Sequence, residues 1–347
     1  MRKKFDHLTS PLANKVEAKG DEYLYFGGTA YLGIPRNQKF IRHYLNGIKK
    51  VGLNNGTSRN NNVQLGIYKE AEKHAAEKFG SADALITSSG YLAAKLTIGQ
   101  FLTMGEVRYA PATHPALWQN EMPKVSGSFT DWSLSIVNEI NNSEKINWVI
   151  ISNSMNNLYP EIYDFSFLKK IDSHKRIVLI VDDSHGIGIN NNGLSAMSII
   201  PQGDHVEILL VASMAKALGV DAGIVLGSEK NISRLKKSNE FLGASPPAAA
   251  GLYAFMQSDD IYAAALLKLK KNIKVLSKAL KNDDNWHFLS DFPVFFSKNT
   301  DISENLLKQQ ILISSFRYPD IDGAIVNRIV LCAWHSIANI KKLITSL

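Results

Sequence analysis

The 347-residue chain has one cysteine, no long apolar run and only a mild excess of one charge. A lone Cys332 can close no internal disulfide and build no multi-cysteine zinc site, which favours a reducing compartment. No apolar stretch approaches the roughly 18 residues that a bilayer span requires. The basic start, Arg2-Lys3-Lys4, has no apolar segment behind it and does not read as a secretory signal. A cytoplasmic protein without a membrane span is expected. Lys plus Arg number 39 against 32 Asp plus Glu, a balance of +7 that suits anionic small ligands and argues for no nucleic-acid partner. What is present is ordinary: 45% hydrophobic and 20% charged residues exclude a disordered or collagen-like chain. The length fits one large or two medium domains.

Short apolar runs alternate with helical patterns through the middle of the chain. Ala84–Thr87, Trp148–Ile151, Ile177–Val181, Ile208–Val211 and Gly223–Leu226 read as strands. The uninterrupted β-branched run at Ile177–Val181 suits a parallel strand buried on both faces. Helices are expected from about Tyr91 and near Asp164–Ser173. This alternation predicts an α/β fold, a mostly parallel sheet covered on both sides, over residues 46–235. Residues 1–45 form an N-terminal segment expected to pack with a smaller C-terminal α+β domain at 236–347. That domain begins near the break at Ser245-Pro246-Pro247. It is expected to hold helices at 248–257, 261–281 and 303–310, strands at 293–297, 311–316 and 328–331, and a last helix from about His335.

Ligands of open α/β sheets bind beyond the carboxyl ends of the strands. After Ala84–Thr87 comes Ser88-Ser89-Gly90-Tyr91, which opens a helix and so offers free N–H groups to an anion. Alone it is equally a plain helix cap. After Ile177–Val181 comes Asp182-Asp183-Ser184-His185-Gly186. An acid and an imidazole there suit a metal, a triad or a heterocycle, but no third metal donor lies nearby, and a capped turn with a core histidine fits too. After Ile208–Val211 comes Ala212-Ser213-Met214-Ala215-Lys216, with no other charge between Glu207 and Asp221. A desolvated ammonium there suits Schiff-base chemistry, whereas an isolated lysine at a helix start ordinarily snorkels to solvent. Together the three turns match the needs of pyridoxal 5′-phosphate: a phosphate cradle, an anion for the pyridinium nitrogen and an amine for the aldehyde.

The motifs, in order, resemble those of the α-oxoamine synthases. These fold type I pyridoxal-phosphate enzymes include 8-amino-7-oxononanoate synthase, 2-amino-3-ketobutyrate ligase and serine palmitoyltransferase. Gly27–Gly33 is similar to an early "NDYLG" segment and Asn55-Gly56-Thr57-Ser58-Arg59 to a "G-G-S-R" loop. Ser89-Gly90-Tyr91 resembles the phosphate-side "SG(Y/F)". Val181–Gly186 is close to "VD(D/E)AH(G/S)", and Ser213–Ala217 to "T-x-(S/G)-K-(A/G)". The resemblance runs from about residue 23 to the end.

It implies that Lys216 carries the cofactor and moves the α-proton, that Asp182 pairs with the pyridinium nitrogen, and that His185 bonds the phenolic oxygen. By the same resemblance His114 stacks on the ring, Ser213 joins Ser89, Gly90 and Tyr91 around the cofactor's phosphate side, and Arg328 grips the substrate carboxylate. The implied substrates are an amino acid and an acyl thioester, condensed with decarboxylation to an α-amino ketone by a homodimer with sites at its interface. The departures are Tyr68 for a histidine, Ala94 for an asparagine, Asn153 for an acid, and Leu242-Gly243-Ala244 for a small hydroxyl run. They keep two further readings open: an aminotransferase on the same scaffold, or a catalytically altered cofactor-binding partner subunit. Lys268, Lys270, Lys271, Lys274, Lys278 and Lys281 read as a solvated helix face, which an acyl-coenzyme A phosphate also suits. Cys332 reads as a buried filler.

Overall fold

The structure is a computed structural model that describes residues 5–318 and 322–347. The chain divides into two compact units. The larger comprises Lys39–Asn156 and Ile162–Asp259; the smaller comprises the segment up to Gln38, Asn157–Glu161 and Asp260–Leu347. The expected cuts at 45/46 and 235/236 therefore fall elsewhere. The helices Glu229–Lys236, Asn239–Gly243 and Ala249–Met256 belong with the larger unit. The reason is apolar: Ala249, Ala250, Leu252, Ala254 and Phe255 are all fully buried. Gly47 leaves room for Ala250, whose Cα would lie 2.9 Å from a Cβ at that glycine. The double proline bends the chain without ending the unit.

The larger unit is built on a six-stranded sheet in the order Asp83–Thr87, Gly223–Gly227, Val206–Ser213, Arg176–Asp182, Asn147–Asn153, Glu106–Tyr109. Five strands point one way and Gly223–Gly227 runs against both its neighbours. The sheet is thus mostly parallel, with one strand reversed. Both faces are covered, and Leu85, Val149, Ile151, Ile180, Leu209 and Val225 are sealed from solvent. Helix starts follow serine caps at Ser89, Ser128 and Ser228, each hydroxyl accepting a hydrogen bond from an N–H of the first turn. The helix expected at 164–173 is instead the short 3-10 turn Phe165–Lys170. Its buried residues Phe165, Phe167 and Leu168 are spaced too tightly for one α-helical stripe. They wedge beside Phe129, which stacks on Tyr163 at 4.0 Å.

The smaller unit carries its own six-stranded sheet, ordered Lys15–Ala18, Asp21–Phe26, Ile311–Tyr318, Ala324–Val330, Val294–Ser297, Trp286–Phe288. Only the pairing of Asp21–Phe26 with Ile311–Tyr318 is parallel. That pairing makes the N-terminal hairpin part of this unit. The last helix starts at Ile337, capped by Ser336. Cys332 is wholly buried, and burial pushes its thiol well above the ordinary range, so it is inert packing. His335 stacks on Phe26 at 4.4 Å, accepts from Cys332 N and donates to Tyr25 O. Burial pulls its pKa down to about 4.

The serine–arginine loop is anchored by a buried ion pair. Arg59 pairs with Glu72, whose other oxygen lies 3.2 Å from Lys236 Nζ; Glu72 also accepts from Ile86 N, tying the helix Ile67–Phe79 to the first sheet strand. The Arg59 guanidinium lies over the rings of Tyr68 and Phe241. Tyr68 is therefore a platform for this arginine. Removing one partner of such a pair leaves a buried uncompensated charge. Glu72→Ala should destabilise the chain by about 3–5 kcal/mol, measured as a shift in the urea unfolding midpoint; a shift below about 1 kcal/mol would show that solvent compensates the Arg59 charge.

Candidate active site

Three turns meet at one edge of the larger sheet. Thr87 ends the first strand and its hydroxyl donates to Ser89 O at 2.8 Å, shaping the turn into the helix Gly90–Phe101. Ser89 Oγ accepts from Leu92 N, and Ser89 O from Ala93 N. The amides of Gly90 and Tyr91 precede the first closed turn of the helix, so they have no acceptor within it. This edge is packed backbone against backbone. A Cβ on Gly90 would stand 2.7 Å from Ser213 Cα, and one on Gly223 only 2.1 Å from Ser89 O. Glycine is required at both positions for that reason.

Asp182 closes the strand Arg176–Asp182, opposite Asn153 on one side and Val211 on the other. Its Oδ1 accepts from Ser184 N at 2.8 Å, and Ser184 Oγ accepts from Ser213 N at 2.9 Å. One serine thereby links the acid to the turn that leads to Lys216. Sequence reasoning quoted Ser184 but gave it no role; the Asp-x-Ser spacing of an Asx-turn was the available signal. His185 follows on the same turn and is half-buried. Burial lowers the pKa of Lys216, and the charge of Asp182 opposes that shift. His114 is exposed at its edge, yet partial desolvation and Lys216 lower its pKa as well, again with Asp182 opposing. Asp182 thus lies close enough to act on the protonation of both Lys216 and His114. Ala116 N donates to His114 Nδ1 at 3.1 Å, so the neutral ring carries its proton on Nε2.

Of the remaining candidates, Tyr91 is exposed, with Lys95 Nζ 5.7 Å from its ring centroid. Ala94 is enclosed in the apolar core, so this position offers a ligand nothing polar. Leu242 O accepts from Asn60 N, joining the altered run at 242–244 to the serine–arginine loop. Arg328 lies in the smaller unit, on the strand Ala324–Val330 opposite Phe296 and Ser314. It is 5% exposed, packs on the Phe316 ring and donates from Nη1 to Asn157 O at 2.8 Å. Its Nε is buried with no protein partner, which leaves a donor for an acidic ligand group.

Asp183 has a different job from its neighbour. It is buried, its Oδ2 accepts from Ala196 N at 2.9 Å, and burial reinforced by the Asp182 charge pushes its pKa up to about 7. Because the folded value lies above the unfolded 3.8, the protonated acid contributes stability that is complete below the unfolded pKa and lost as pH rises through about 7. Asp183→Asn mimics the protonated form. Its stability relative to the parent should rise between about pH 4 and pH 7, by on the order of 4 kcal/mol at most. Urea midpoints at each pH test this, and a difference flat across that range would remove the assignment.

Comparison with known proteins identifies the fold and the family. A family model described as aminotransferase class I and II matches residues 33–347. The chain is 25% identical over 322 residues to a putative 8-amino-7-oxononanoate synthase of Methanococcus vannielii, covering 89% of this chain and 87% of that protein. Among solved structures it is similar to a serine palmitoyltransferase from S. paucimobilis with bound PLP, at a TM-score of 0.82 and 14% identity over 98% of this chain and 90% of that one. It is similar also to 8-amino-7-oxononanoate synthase from Francisella tularensis, at a TM-score of 0.70 and 19% identity over 93% of this chain and 97% of that one. The architecture is accordingly the fold type I, aminotransferase-like one that the resemblance implied, built on the mostly parallel α/β sheet that the strand alternation predicted. With the family match running from Gly33 through both units to the last residue, the chain belongs to the aminotransferase class I and II family.

Proposed function

We propose that the chain is a pyridoxal 5′-phosphate-dependent C-acyltransferase that condenses an amino acid with an acyl thioester, releasing the thiol and carbon dioxide to leave an α-amino ketone. The carrying observation is the half-buried Lys216, its amine desolvated and within the field of Asp182, at the same sheet edge as the open helix start at Gly90 and Tyr91. Relatives named 8-amino-7-oxononanoate synthase support this activity over transamination. The residues fit the cofactor. The Gly90 and Tyr91 amides and the Ser213 hydroxyl would hold its phosphate beside Ser89, Asp182 its ring nitrogen, His185 its phenolic oxygen and His114 its ring face. When bound, it supplies an electron sink for the carbon that loses a proton or carboxylate.

The chain's own residues do the rest. A depressed pKa leaves more of Lys216 as the free amine, the form able to attack a carbonyl and to accept the α-proton. Asp182, fixed by Ser184 N, keeps a negative charge where a protonated ring nitrogen would sit. His114, held neutral, offers its Nε2–H as a hydrogen-bond donor. Arg328, with its Nε free and Phe316 fixing its plane, would take the amino acid's carboxylate.

We further propose a cytoplasmic homodimer. The single cysteine supports the compartment, and no helix among the described residues is long and apolar enough to cross a membrane. Exposed Leu45, Leu53 and Val63 on the larger unit support self-association.

Purified protein incubated with the cofactor, a panel of amino acids and acyl-coenzyme A of graded chain length should release free thiol and carbon dioxide together. Keto acid without thiol would replace this reading with an aminotransferase; cofactor binding with neither product would replace it with a partner subunit. Lys216→Ala should abolish thiol release and the covalent adduct that borohydride otherwise traps on Lys216, read by mass spectrometry. Light scattering should give twice the chain mass.

A further inference from the structure

Asn153 ends the strand Asn147–Asn153 in register with Asp182 and is only 7% exposed. Its side chain reaches back 41 residues. Nδ2 donates to Ala112 O at 2.7 Å, and Oδ1 accepts from His114 N at 3.1 Å. Between those two contacts the main chain is strained: Ala112 is a non-glycine residue at φ 54. Such a left-handed alanine costs about 1–2 kcal/mol and persists only where its surroundings hold it. The imidazole in turn takes its orientation from the main chain, through the bond that Ala116 N donates to Nδ1.

We propose that Asn153 is a positioning residue of the site, its amide clamping the Ala112–His114 turn and thereby setting where the His114 imidazole stands. The two contacts run in opposite senses, one donated and one accepted. An amide makes both, whereas an ionised carboxylate only accepts. An acid here would turn an oxygen toward Ala112 O and add a second negative charge next to Asp182. The charged groups that bias His114 are Asp182 and Lys216, and a neutral clamp leaves their balance undisturbed. The change from the acid of similar proteins to Asn153 therefore goes with a differently held histidine and does not mark a decayed site. The inference rests on the proposed function only in giving His114 a catalytic setting.

The test uses the full-length protein and its Asn153→Asp and Asn153→Ala variants, the former isosteric with the parent. Nitrogen-15 NMR of the His114 ring, without cofactor, reads tautomer and titration directly. The parent ring should show the Nε2–H tautomer. Asn153→Asp should move the His114 resonances and raise its titration midpoint. With pyridoxal 5′-phosphate bound, thiol release should fall up to about 100-fold in kcat, with KM changed less than about threefold. Acidification should then restore Asn153→Asp toward the parent, because a protonated carboxyl again donates to Ala112 O, while Asn153→Ala stays impaired at every pH. Superposable His114 titrations in parent and Asn153→Asp, or identical pH profiles for the two variants, would overturn the assignment. A chain that releases no thiol in any form yet shows His114 displaced in Asn153→Asp would sink the acyltransferase reading and support the clamp.

Discussion

Everything at the candidate site depends on how closely three backbone turns approach one another. Ser89 and Gly90 lie against Ser213 and Gly223 with no room for a Cβ at either glycine. That approach puts the free amides of a helix start next to a strand end whose third following residue is Lys216. The reversed strand Gly223–Gly227 makes the arrangement possible, because its first residue, and not its last, stands at the ligand edge. A side chain at Gly223 would push the helix start off the sheet and enlarge the cradle by the same displacement. The position of the helix start and the packing of the sheet are therefore one constraint here.

The electrostatics are layered on that frame by burial. Asp182 and Asp183 are consecutive, yet the alternation of a strand end sends them into different surroundings. One carboxylate receives an N–H from Ser184 and faces Lys216 and His114. The other is wholly enclosed, accepts from Ala196 N, and stays protonated toward neutrality. Only one of the pair needs to be ionised, and the burial of Asp183 is what limits repulsion between them. Lys216 experiences the same logic with the opposite sign, since desolvation favours its neutral amine while Asp182 restrains the shift.

Much of this was legible in the sequence because it is local. The run Ile177–Val181 is fully apolar and could only be a buried strand, and the chemistry follows each strand end directly. Other features left no local trace. A strand buried on both faces looks the same in either direction, so the reversal of Gly223–Gly227 was hidden. Residues 236–259 read as the start of a second domain because Pro246-Pro247 interrupts them, but the apolar helix Ala249–Met256 packs into the larger unit. Phe165, Phe167 and Leu168 looked helical by composition, and only their spacing makes a tight 3-10 wedge. Arg328 entered by resemblance alone, since no sequence rule separates a ligand-gripping arginine from an edge ion pair. In the structure its Nη1 donates to Asn157 O and its buried Nε has no protein partner.

The substituted positions are not of one kind, and their contacts separate them. Ala94 lies in the apolar core, and Tyr68 supplies a ring face to Arg59 and donates to Pro247 O. Both positions are taken up by packing. Asn153 makes two directed hydrogen bonds to a strained turn that carries His114. A position that had merely lost its acid would have no reason to keep both ends of an amide engaged, nor to hold Ala112 in a conformation that costs energy. Asn153 is thus built by both ends of its amide into the turn that carries His114, which fits a maintained site better than an abandoned one.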